Sequence, residues 1–253
     1  MWSEICCMKI YIAGTEHKRF VLDDVANLRP YILVSFYMVE KKLGIMNYCN
    51  DYLLDSGAFT FMNSGGHEDW EEYIERYADF INKNNVPKFF ELDIDSIVGY
   101  DRVKELRKRL ERLTNRQCIP VWHILRGKEE FTRMSQEYSY VAIGGIVTKE
   151  ITPNKYKFFP YFIKEAHKNG AKIHALGFTN IELLKQYHFD SVDSTSWGGG
   201  GRFGYVYKFT GNSLIKKRIS GGNTGMRISD YRKIDKLNFL EWVKYQKYAE
   251  GHL

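Results

Sequence analysis

Cysteine is scarce in this 253-residue chain: Cys6, Cys7, Cys49 and Cys118 are the only four, and none follows position 118. They contain no C-x-x-C pair, so neither a zinc ribbon, a redox pair nor a disulfide framework is expected. Long apolar runs are missing as well. Nothing approaches the roughly 18 uninterrupted apolar residues of a membrane span, and the mean hydropathy is −0.42. The first residues, MWSEICCMKIYIAG, have an early acid and no basic leader, so no signal peptide is expected. Pro- or Ser-rich linkers and internal repeats are lacking too, which favours a single domain over 1–253. A hydrophobic fraction of 44% with 15% aromatics excludes a disordered chain. The expectation is a cytoplasmic protein without a membrane partner.

What is present is a regular series of short apolar runs. These are Lys9–Gly14, Tyr31–Phe36, Tyr52–Asp55, Phe89–Asp93, Pro120–Ile124, Tyr140–Gly144, Lys172–Gly177 and Ser191–Thr195. Each is short and rich in Val, Ile, Phe or Tyr, which predicts strands. Amphipathic segments lie between many of them. Within His67–Asn85, Trp70, Tyr73, Ile74, Tyr77, Phe80 and Ile81 recur at three- and four-residue steps. Val103, Leu106, Leu110 and Leu113 do the same in Asp101–Arg116, where Asp101 is the expected cap. Phe159–Lys168 and Asn180–Tyr187 fill two further gaps. Near-continuous apolar strands alternating with helices predict an α/β fold with a parallel sheet, and eight of them predict a (β/α)8 TIM-like barrel. A doubly wound open sheet is the alternative.

Charge is unevenly spread. The net charge is +6, yet residues 202–236 hold nine Lys/Arg against two Asp/Glu, a surplus of +7, which leaves −1 for the rest. Phe203, Tyr205, Tyr207, Phe209 and Tyr231 are interleaved with these cations, and Gly198–Gly201 precede them. Basic and aromatic residues together suit phosphate contact and base stacking. An ordinary solvated hairpin has the same composition. A basic segment over 198–236 is expected to be the nucleic-acid-binding part, with Arg202, Lys216, Lys217 and Arg218 on the phosphates.

In a barrel, polar residues at the C-terminal strand ends line the active site. Here those ends carry Asp55-Ser56-Gly57, Glu91-Leu92-Asp93, His123, Gly144-Gly145, Gly177 and Asp193-Ser194-Thr195. A single such Asp is ordinarily a cap or turn former. Three of them suit displacement at an anomeric carbon, one carboxylate attacking and another moving protons. Glycines beside them let a flat heterocycle approach the backbone. His123 beside Trp122 reads more readily as a packed barrel histidine than as a catalytic one.

These residues resemble a family, the tRNA-guanine transglycosylases and their DNA-acting 7-deazaguanine relatives. Asp55-Ser56-Gly57-Ala58-Phe59 is similar to the family's D-S-G-G-F/Y, and Asp190-Ser191-Val192-Asp193-Ser194 resembles its D-M-F-D-C segment. Ile143-Gly144-Gly145-Ile146 resembles L-G-G-L, Arg126-Gly127 lies near a base-binding Gln-Gly, and Arg202-Phe203-Gly204 resembles R-N-G. The resemblance runs in order from about residue 52 to 218. It implies Asp193 as nucleophile at the sugar C1′ and Asp55 as general acid/base. It also implies a base-binding set of Asp93, Ser56, Phe59, Arg126, Gly144 and Gly145.

The implied activity is that of a pentosyltransferase exchanging guanine in DNA, or alternatively in tRNA, for a 7-deazaguanine base such as preQ0 or preQ1. The family's C-x-C-x-x-C…H zinc site is missing, so no metal and no cofactor is expected. Either the basic segment then replaces the absent zinc module or nucleic-acid docking works differently, and a homodimer or a partner protein is among the expected partners. A nucleoside or glycoside hydrolase using the same carboxylates, a phosphate-binding barrel enzyme and a non-catalytic nucleic-acid-binding barrel are the competing classes.

Overall fold

The computed structural model describes residues 8–39, 45–57, 68–219 and 228–253. The fold is α/β, of the TIM-like barrel type. Its strands are β1 (Lys9–Ala13), β2 (Tyr31–Ser35), β3 (Asp51–Asp55), β4 (Val121–Trp122), β5 (Tyr140–Ile143), β6 (Lys172–Ala175) and β7 (Ser191–Ser194). Their order in the sheet is β3-β2-β1-β7-β6-β5-β4. A hairpin follows, β8 (Tyr205–Phe209) against β9 (Leu214–Arg218). The longer helices are α1 (Leu22–Leu28), α2 (Trp70–Lys83), α3 (Tyr100–Thr114), α4 (Gly127–Glu137), α5 (Phe159–Lys168) and α6 (Ile228–His252).

Seven of the eight predicted runs form strands. The remaining one, at 89–93, is reduced to single bridges, Leu54 with Phe89 and Phe90 with Ile119. Its backbone still bonds on both sides: Phe90 N–H donates to Leu54 O at 3.0 Å and Ile119 N–H to Phe89 O at 2.8 Å. The chain therefore occupies the expected place between β3 and β4 while leaving the ladder after two residues. Glu91 N–H still donates to Ile119 O at 3.0 Å, and Asp93 and Asp95 lie beyond the ladder.

By contacts the chain divides into two compact units, one of residues 1–32, 44–51 and 177–253 and one of 33–43 and 52–176. In the second unit β4, β5 and β6 pair in parallel, with Val121 opposite Ala142 and Val141 opposite Ile173. Helix α2 buries Tyr73, Ile74, Tyr77, Phe80 and Ile81, the stripe that its spacing predicts. Asp69 caps it, accepting from the Glu71 and Glu72 N–H groups. Helix α3 begins one residue earlier than predicted, at Tyr100 after Gly99. Asp101 therefore lies inside the first turn and pairs with Lys104 at 2.7 Å instead of capping.

In the first unit β1 pairs in parallel with β7, Lys9 opposite Ser191. Helix α6 closes over this pair. The Gln246 amide donates to the carbonyls of Ile10 and Tyr31 and accepts from Tyr31 N–H, so a buried polar side chain is fully engaged. Trp197 is buried and donates its indole N–H to Ala13 O at 2.8 Å. The four-glycine run admits α6 rather than a phosphate. A Cβ on Gly200 would lie 2.1 Å from Asn238 Nδ2, and one on Gly201 would lie 2.4 Å from Tyr231 Cβ.

Candidate functional site: a clamped histidine at the strand ends

Glu91, Asp93 and Asp95 alternate along the segment that leaves the ladder, and His123 and Arg126 follow β4. Gly144-Gly145 and Glu150 follow β5. The structure brings these residues together. His123 Nε2 is 2.6 Å from Asp93 Oδ1, and its Nδ1 is 3.2 Å from Glu150 Oε2. Burial opposes a charge on this imidazole. The hydrogen bond and charge of Asp93, with Asp95 and Glu150 behind, outweigh it and raise His123 to about 9. At neutral pH both ring nitrogens thus carry protons and donate to the two carboxylates.

A second layer holds this arrangement. Arg126, its side chain almost wholly buried, donates Nε to Asp95 Oδ1 at 3.0 Å, a terminal nitrogen to Asp95 Oδ2 at 2.6 Å and the other to Glu91 Oε1 at 3.0 Å. Its guanidinium also stacks 4.0 Å from the Tyr100 ring centroid. Burial opposes its charge too, yet Glu91 and Asp95 hold it above its ordinary range. Glu91 is fully buried, accepts from Val121 N–H at 2.7 Å and pairs with Arg107 at 3.3 Å. Burial raises its carboxyl, and the two arginines act against that. Tyr100, pushed up to about 12 by burial and its bond to Glu130, stays a neutral phenol. Four carboxylates thus face two arginines and one imidazolium, and losing the His123 proton would leave two of them uncompensated.

The glycines serve this cluster. A Cβ on Gly144 would lie 2.8 Å from His123 Nε2, and one on Gly145, at φ +80°, would lie 3.1 Å from Glu150 Cβ. Gly144 N–H is already bonded to Trp122 O at 2.9 Å. The pair makes room for the histidine and its carboxylate, not for a heterocycle. Asp93, Asp95 and His123 also offer ligand atoms within 4.8 Å of one another, a spacing a cation can use. In this arrangement Asp95 accepts from Arg126 through both oxygens, and both His123 nitrogens face carboxylates.

The other expected residues make contacts of their own. Asp55 Oδ2 accepts from Gly57 N–H at 2.9 Å, in a turn where Gly57 has φ +82°. Ser56 is buried, and its carbonyl accepts from the Tyr73 hydroxyl. Phe59 lies outside the described residues. In the first unit Asp193 is buried at the end of β7 and accepts from Gly177 N–H at 2.7 Å. Arg202 is exposed after the glycine run, and Lys216, Lys217 and Arg218 are exposed on β9.

No family model and no curated protein matches this sequence. Among solved structures, the chain is similar to a fructose-1,6-biphosphate aldolase candidate from Coccidioides immitis. Identity is 10% with a TM-score of 0.59, over 97% of this chain and 91% of that one. This likeness establishes the fold alone. QR15, described as an aldolase, aligns at a TM-score of 0.48 and 14% identity over 78% of this chain and 93% of its own. An HpcH/HpaI aldolase from Desulfitobacterium hafniense DCB-2 aligns at 0.45 and 10% over 75% and 86%.

The solved structure whose fold this chain shares is described as an aldolase candidate, not a guanine transglycosylase, and the resemblance drawn from the motifs is overturned. With it fall the pentosyltransferase activity, the 7-deazaguanine substrate and DNA or tRNA as partner. The geometry gives the physical reason. Asp93, the expected reader of a base edge, is bound to His123; Arg126 is locked between Glu91 and Asp95; and Gly144-Gly145 is packed against side chains. Sequence reasoning ranked His123 below the carboxylates and missed Glu150, which lies on a loop and carries no strand-end signal. Among the described residues, no helix is long and apolar enough to cross a membrane.

Proposed function

We propose that this chain is a small-molecule lyase that makes or breaks a carbon–carbon bond beside a carbonyl, its proton moved by Asp93, His123 and Glu150. The observation that carries the reading is the imidazolium clamped between two part-exposed carboxylates at the strand ends. In the cleavage direction a carboxylate takes the proton of a β-hydroxyl. The carbon–carbon bond then breaks to an aldehyde and an enolate, and the proton returns to the enolate carbon. The imidazolium supplies fixed positive charge beside the developing enolate. The fold shared with a protein described as a fructose-1,6-biphosphate aldolase candidate is consistent with this class.

A cofactor is not part of the proposal. A free, buried thiol at Cys118 supports a cytoplasmic setting, and we take the chain to act as one catalytic barrel bearing a basic hairpin.

Deuterium exchange tests the reading. Short α-keto acids and hydroxyketones are incubated in D2O with the wild type and with Asp93→Asn, and label at the carbon beside the carbonyl is read by NMR. Exchange with at least one ketone, lost in the variant, is expected. No exchange with any of them, or equal exchange in the variant, would overturn the proposal.

A further inference from the structure

Among the described residues, the β8–β9 hairpin has one satisfied edge and one open edge. Thr210 N–H bonds to Ser213 O and Ile219 N–H to Gly204 O, so the even-numbered residues of β8 face β9. The odd-numbered N–H groups of β8 point the other way, and helix α6 meets them. Tyr207 N–H donates to Asn238 Oδ1 at 2.7 Å, and Phe209 N–H donates to Glu241 Oε2 at 2.6 Å. On β9 the same alternation turns Ile215 and Lys217 towards β8 and turns the backbone of Leu214, Lys216 and Arg218 outward. Among the described residues, nothing pairs with those three outward N–H groups.

An open edge is a template for another strand, and lysines on it normally keep second copies away. The charge here is heavier than that role needs. From residue 194 to 229 the chain has six Lys/Arg and no Asp or Glu. Ile215, Lys216, Lys217 and Arg218 are all exposed, and Lys216 Nζ lies 3.8 Å from the Tyr205 ring centroid, which holds its charge beside the edge. Antiparallel pairing of two β9 strands would set cation against cation, so a second copy is rejected. The charge that rejects a copy selects an opposite one.

We propose that the outer edge of β9 is a docking site for an extended, acidic peptide segment of a partner protein, added as a third strand. Backbone bonds to Lys216 and Arg218 would fix it, and glutamates or aspartates on its alternate positions would meet Lys216 and Arg218, which share one face of the strand. This inference stands apart from the chemistry at His123.

The test uses the full chain and three probes: a short peptide of alternating Glu and Val, its Lys–Val counterpart, and single-stranded oligothymidylate of matched negative charge. Binding is read by fluorescence anisotropy, and amide protection by hydrogen-exchange NMR. The acidic peptide is expected to bind, to weaken with salt and to protect the Lys216 and Arg218 amides. Lys216→Pro removes one outward N–H at a position where an edge strand tolerates proline, and should weaken binding about tenfold or more while cross-strand contacts persist. Lys216→Gln keeps the N–H and should retain amide protection with reduced salt sensitivity. Failure of the acidic peptide to bind would overturn the proposal, as would binding unchanged in Lys216→Pro. Equal binding of the oligonucleotide without amide protection would show a general polyanion surface and overturn it too.

Discussion

His123 Nε2 lies 2.6 Å from Asp93 Oδ1 while the opposite ring nitrogen reaches Glu150, which puts a proton-bearing ring between two carboxylates from separate segments of the chain. The carboxylates both raise the affinity of the ring for its proton and orient it. This relationship governs the expected pH behaviour, the tolerance of the neighbouring glycines and the chemistry proposed.

Stability should fall as the solution becomes alkaline. The folded-state value of His123 is raised to about 9 from an ordinary 6.5. The protonated ring therefore stabilises the fold fully below about 6.5, and that contribution is lost as pH rises from there through about 9. Its upper size is of the order of 3 kcal/mol. Chemical denaturation at pH 6 and at pH 9.5 checks this: the wild type should lose more stability between them than His123→Gln does. Equal losses would remove His123 as the cause.

Gly144→Ala should displace the histidine. The added methyl would meet the ring and Val121 at 2.8 Å, in a buried site with little room to give. A destabilisation of about 1–3 kcal/mol is expected, together with a shifted His123 ring resonance in NMR. Gly170→Ala provides the comparison: its Cβ meets nothing within 4 Å, so only the φ of +75° is strained and the His123 resonance should not move.

Removing Arg126 should be more damaging than removing its whole ion pair. Arg126→Met leaves Glu91 fully buried with one arginine fewer, at a cost of about 3–5 kcal/mol. The double variant with Glu91→Gln should recover part of that loss. A double variant no more stable than Arg126→Met alone would show that Asp95, rather than Glu91, is what the arginine serves.

Much of the architecture was legible because it rests on local patterning. The apolar runs mark the strand positions, the stripe from Tyr73 to Ile81 marks the buried face of α2, and Phe159–Lys168 is a helix with the predicted bounds. The site was less legible because its bonds are long-range. Arg126 and Glu91 are 35 positions apart, and His123 and Glu150 are 27 apart. No spacing rule joins such pairs. Gly144-Gly145 misled for a related reason: a glycine pair signals close approach, and the sequence does not say whether a ligand or a side chain approaches. Asp residues at strand ends recur in barrels through the geometry of the strand ends themselves, so motifs in the right order did not specify the chemistry.

The most direct measurement is the titration of the His123 ring by NMR in the wild type and in Glu150→Gln and Asp93→Asn. The account predicts a midpoint near 9 in the wild type, lowered in both variants, with the larger fall in Asp93→Asn. A wild-type midpoint near the ordinary 6.5 of a free histidine, unmoved by either substitution, would contradict the clamped imidazolium and with it the proposed proton transfer.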